Sequence, residues 1–86
     1  MYRSNFDESW PSYFNSLENS FKERVAKKIK NILAFPQKRH FKGANFFVAE
    51  IGQYRLIYRI FEEIKEVRFY FVGDHKEYEK WYKQLF

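Results

Sequence analysis

Cysteine is absent from this 86-residue chain, and histidine occurs only as His40 and His75. Without cysteine there is no disulfide scaffold and no thiolate metal site. Two histidines make a histidine-rich metal site unexpected as well. Glycine and proline are sparse, at three and two, and no linker or low-complexity segment interrupts the chain. No apolar run approaches the ~18 residues of a membrane helix, and no signal-peptide pattern opens the sequence. The expectation is a soluble cytoplasmic domain with no membrane contact.

What is present is aromatic and basic. Eleven Phe, seven Tyr and two Trp make up 23% of the residues. The hydrophobic share of 45% is too high for disorder. A domain of this size buries only roughly 60–65% of its unfolded surface. Each buried aromatic removes about 150–250 Å² from water, so large rings compensate. One domain spanning residues 1–86, with an aromatic core, is expected.

The net charge of +5 is uneven. Residues 21–43 carry Lys22, Arg24, Lys27, Lys28, Lys30, Lys38, Arg39 and Lys42 against Glu23, a net +7. Residues 1–20 carry −2, and the segments 44–72 and 73–86 each balance at zero. A polyanion suits the basic segment, and a solvated helix face is the plainer reading of the same charges.

Alternation from Tyr2 to Phe6 predicts a first strand. Asp7 or Ser9 can cap a helix in which Trp10, Phe14 and Leu17 share one face. Ser20 and Glu23 have capping-box spacing, which predicts a second helix starting there. Its apolar stripe is Phe21, Val25, Ile29, Ile32 and Leu33, and Phe35-Pro36 ends it. The period then changes to two. Phe46–Ile51, Tyr54–Phe61 and Glu66–Val72 read as three strands. Gly52-Gln53 between the first two suits a type II′ hairpin. Tyr78, Trp81, Tyr82 and Leu85 fall at helical spacing and predict a short C-terminal helix.

The turn sets the register. If Ile51 pairs with Tyr54, Glu50 lies opposite Arg55 and Val48 opposite Ile57. One face is then nearly all apolar and should pack on the helices. The other mixes Glu50, Arg55 and Arg59 with Phe46, Val48 and Ile57, as a groove partly open to water would.

This order of elements resembles the RelE/ParE superfamily of type II toxins over nearly the whole chain. Gly52-Gln53-Tyr54-Arg55-Leu56-Ile57-Tyr58 is similar to the family's G-x-Y-R-hydrophobic-hydrophobic-Y stretch. Val72-Gly73-Asp74-His75 resembles its strand-end V-G-x-(H/R), and His40-Phe41-Lys42-Gly43 resembles the L-K-G before its second strand. The resemblance implies an α+β fold of N-terminal strand, αα-hairpin, three-stranded antiparallel meander and short C-terminal helix. It also implies a cognate antitoxin, a small acidic protein. In the RelE branch it implies ribosome-dependent cleavage of messenger RNA.

Cleavage of RNA through its own 2′-hydroxyl needs a base, an acid and fixed positive charge on the phosphorane. Arg55, always ionised and forked, suits the charge, and the resemblance puts the family's core arginine there. A cross-strand salt bridge to Glu50 is its structural alternative. Histidine is the side-chain type suited to both proton uptake and release near neutrality, so His75 is a candidate acid or base. Glu50 is a candidate base. Tyr78 can stack on a nucleobase or assist proton transfer, or else pack with Trp81 and Tyr82. Some family members carry lysines on the second strand, where Val48 and Glu50 stand here. A Glu/His mechanism therefore fits better than a lysine-based one. Lys27, Lys30, Lys38, Arg39, Lys42, Arg59 and Arg68 are expected to contact RNA of the ribosome and message. His40 sits among them and reads as an RNA contact or, more simply, a plain loop residue. Trp81, Tyr82 and Leu85 are expected to receive an amphipathic antitoxin helix, or to close the chain's own core. No metal or organic cofactor is implied, because arginine and histidine supply charge and protons themselves. The alternatives are a gyrase-inhibiting toxin of the ParE branch and an inactive RNA-binding relative.

Overall fold

The computed structural model describes residues 1–36 and 46–85, with only the backbone of Leu85. Strand β1 covers Arg3–Phe6, and two helices follow, α1 over Trp10–Phe14 and α2 over Asn19–Ala34. Strands β2 (Phe47–Ile51), β3 (Tyr54–Phe61) and β4 (Glu66–Gly73) come next, and helix α3 spans His75–Leu85. The sheet order is β1-β4-β3-β2. The last three strands form the expected antiparallel meander, and β1 adds to β4 in parallel. The sheet is therefore mixed.

The hairpin register is the one the turn dictates: Glu50 opposite Arg55 and Val48 opposite Ile57. Gly52 adopts φ +59° and Gln53 does not have a positive φ, the type II′ pattern. Short, tight β2–β3 pairing leaves β2 at the sheet edge.

One sheet face meets the helical hairpin. Ala49, Ile51, Leu56 and Tyr58 join Val25 and Ile32 of α2, Trp10 of α1, and Val67, Phe69 and Val72 of β4 in the main core. Leu56, Tyr58, Val67 and Phe69 are fully buried. Phe21, Ile29 and Leu33 of the α2 stripe pack against this cluster.

Three local expectations change. The second helix starts at Asn19, with Glu18 as its N-cap and no side-chain cap hydrogen bond. Ser20 thus lies inside the helix, two residues past the capping position. The first helix is only five residues long, so Leu17 packs on the core from beyond its end. The second sheet face is not an open groove throughout. Helix α3 lies on it, and Ile57, Phe71, Tyr78 and Trp81 form a smaller core there. The Trp81 ring stacks on Phe71 at 5.4 Å and meets Phe46 edge-on at 5.5 Å.

The device that starts α3 is a capping box at Asp74 and Glu77. The Asp74 carboxylate accepts from the Glu77 backbone N–H at 2.9 Å, and Glu77 Oε1 accepts from the Asp74 N–H at 3.0 Å. Two otherwise orphaned donors are satisfied reciprocally. Gly73 makes the corner possible. A Cβ there would lie 2.6 Å from the Phe71 ring and 3.1 Å from Glu77 Cβ.

Candidate active site

The corner at Gly73-Asp74 sets His75 in the first turn of α3, beside the start of β3. Arg55 is one residue into β3 and pairs with Gly73 of β4 across the sheet. Helix and strand therefore bring Arg55, His75 and Tyr78 to one open depression of about 270 Å³, which Glu79, Tyr82 and Lys83 also line.

Arg55 is half-buried, with its guanidinium carbon 4.6 Å from the centre of the Tyr78 ring. Burial pushes the Tyr78 hydroxyl above its ordinary value, and the neighbouring Arg55 guanidinium pulls partly the other way. The phenol is therefore neutral at physiological pH and can give a proton but not take one. Arg55 makes no ion pair among the described residues.

His75 is exposed, and its Nε2 lies 3.1 Å from Glu79 Oε1 one turn along the helix. A neutral imidazole donating through Nε2 keeps its lone pair on Nδ1. The His75 and Tyr78 rings face each other at 6.4 Å. The depression thus collects a fixed guanidinium, an imidazole held by a carboxylate, and a neutral phenol. Those groups can stabilise a phosphoryl anion and move protons beside it.

Glu50 stands apart from this cluster. Its backbone faces Arg55, yet the residue lines another depression with Arg24, Lys27, Lys28 and Asn31 of α2, beside Ile51 and Gly52. Lys27 and Lys30 are exposed on α2. Arg59 and Arg68 lie opposite each other on β3 and β4, both over the Phe61 ring at 5.1 and 5.5 Å. Arg68 also pairs with Glu66 at 3.6 Å. Lys38, Arg39, His40 and Lys42 lie outside the described residues. Trp81 is buried against the chain's own sheet, Tyr82 is half-buried, and nothing is described of the Leu85 side chain.

Sequence reasoning missed Glu79 and Lys83. Their signal was present, since positions 75, 79 and 83 repeat at helical spacing. The apolar period of the same segment marks the adjoining face, of which Tyr78 and Tyr82 reach the same depression.

No curated protein sequence matches the chain. Solved structures do. The isolated RelE toxin of Escherichia coli superposes with a TM-score of 0.77 at 22% identity, covering 100% of both chains. A chain of the intact E. coli RelBE toxin–antitoxin complex gives 0.78 at 24% identity, over 86% of this chain and 96% of that one. The RelBE2 complex of Mycobacterium tuberculosis gives 0.69 at 23% identity, over 86% and 98%. The fold is thus of the RelE toxin class. Residues 4–78 match the profile of the ParE toxin of the type II toxin–antitoxin system parDE. The chain belongs to this family, and is a type II toxin of the RelE/ParE superfamily.

Proposed function

We propose that this toxin is a ribosome-dependent endoribonuclease that cuts messenger RNA by attack of a 2′-hydroxyl on the adjacent phosphate. The observation that carries this reading is the convergence of Arg55, His75 and Tyr78 on one depression. Arg55 neutralises the phosphorane, where removing one such donor typically costs about 10²–10³ in rate. His75, through Nδ1, takes the 2′-hydroxyl proton. Tyr78, neutral and adjacent to Arg55, gives a proton to the leaving 5′-oxygen. Glu50 receives no direct part, because it lines the α2 depression instead. The exposed lysines of α2, with Arg59 and Arg68, hold ribosomal and messenger phosphates. Arginine and histidine supply the charge and protons, so no metal or cofactor is invoked.

The partner is a cognate antitoxin. Structurally similar chains occur in toxin–antitoxin complexes from E. coli and M. tuberculosis. Trp81 and Tyr82 mark the helix on which an amphipathic antitoxin segment would act.

The ParE description of the matched family favours a second reading, a binding toxin that inhibits DNA gyrase. Induced expression decides. The endonuclease reading expects growth arrest by the parent and recovery with Arg55→Ala or His75→Ala. Arrest by both variants, together with inhibition of supercoiling by the purified parent, would reverse the order.

A further inference from the structure

Lys83 lies on the rim of the Arg55 depression, two turns along α3 from His75. Residues at i, i+4 and i+8 share a helix face, so His75, Glu79 and Lys83 form one stripe. A glutamate one turn before a lysine normally pairs with it. Here the Glu79 carboxylate lies 3.1 Å from His75 Nε2 instead. Among the described residues Lys83 makes no ion pair. Across the same depression the Arg55 guanidinium rests on a tyrosine ring and likewise has no carboxylate among the described residues. Two cations thus face one open space whose single acid is turned to the imidazole. That arrangement suits an anion.

We propose that Lys83 is the second phosphate-contacting cation of this site, supplied from α3 where β2 offers Val48 and Glu50. The ligand class is a nucleotide phosphate. Arg55, stacked and forked, holds two oxygens in a fixed direction. Lys83 is a compact charge on a flexible stem and can follow the oxygen on which negative charge grows. The inference rests on the RNA-cleaving reading but is tested apart from it.

The test is a titration of 3′-AMP into the purified full chain at low salt, followed by NMR. Parent, Lys83→Ala, Lys83→Arg and Lys80→Ala are compared. Lys80 is an exposed lysine of α3 that does not line the depression. The expected result is binding with shifts at Arg55 and a dissociation constant about three- to tenfold weaker in Lys83→Ala. Lys83→Arg restores it to within about twofold, and Lys80→Ala matches the parent. Equal affinity in Lys83→Ala and parent overturns the assignment. So does an equal loss in Lys80→Ala, which would make the effect bulk charge, and so does a parent that leaves Arg55 unshifted. Message cleavage is then measured on ribosomes. A parent that binds through Lys83 but cuts nothing retains this phosphate site and loses the cleavage reading. A parent that cuts, with Lys83→Ala altering neither binding nor rate, does the reverse.

Discussion

Arg55 of β3 stacks on Tyr78 of α3, the guanidinium carbon 4.6 Å from the ring centre. The contact joins the sheet to the helix that covers it, and it aims the charge at the same time. A cation–π pair at a partly exposed site contributes about 0.5–1 kcal/mol. Tyr78→Phe keeps that stack and removes the hydroxyl. It should leave α3 docked, judged by amide exchange, and slow cleavage by about tenfold or more. Tyr78→Ala should both loosen α3 and abolish cleavage. An unchanged rate in Tyr78→Phe would remove the phenol from the proton pathway.

Glu50 provides the opposite case. It lies across the hairpin from Arg55 but lines the depression beside Lys27 and Lys28. Glu50→Gln should therefore change the single-turnover cleavage rate by no more than about threefold, far short of the ~10²–10⁴ that a general base supplies. A loss in that larger range would return Glu50 to the catalytic group.

The corner before α3 should be intolerant of change. The Phe71 ring that a Cβ on Gly73 would strike is itself fully buried and has no room to move. Gly73→Ala should cost about 1–3 kcal/mol by overpacking. Asp74→Ala should cost about 0.5–2 kcal/mol as a lost cap. Urea unfolding measures both. Because His75 and Tyr78 ride on this corner, each variant should also lower cleavage under conditions where it remains folded.

Alkaline pH tests the main core. Burial pushes the Tyr58 hydroxyl up to about 12 from the ordinary 10.0. The folded state favours the neutral phenol, so this stabilisation is fully present below pH 10 and is lost as pH rises through 12. It amounts to roughly 2–3 kcal/mol. Stability measured between pH 10 and 12 should fall less steeply in Tyr58→Phe than in the parent. Parallel curves would show that the phenol is not held in its neutral form.

Much of the sheet was legible because Gly52-Gln53 leaves few ways to close a hairpin, and closure fixes every pair from Ile51–Tyr54 outward. That register correctly put Glu50 opposite Arg55. It did not reveal where the side chains go, because an edge strand leaves Glu50 room beside α2. The helix starts show the same limit. Ser20–Glu23 and Asp74–Glu77 have identical spacing, and only the second is a capping box. The difference is tertiary: chain entering from Glu18 has already turned helical at Asn19, whereas Gly73 ends a strand and forces a new start. The basic segment was the most visible sequence feature. Yet the residues gathered at the Arg55 depression come from stretches of zero net charge, where a few placed groups matter more than their sum.

The most direct test is mapping of new 5′ ends on a defined message in a reconstituted translation reaction, with and without ribosomes. Cuts by the parent are expected only when ribosomes are present. Arg55→Ala should lose about 10²–10³ in rate, with a comparable loss for His75→Ala. A message left intact on translating ribosomes by the folded parent, or cut equally by Arg55→Ala, would contradict the cleavage reading.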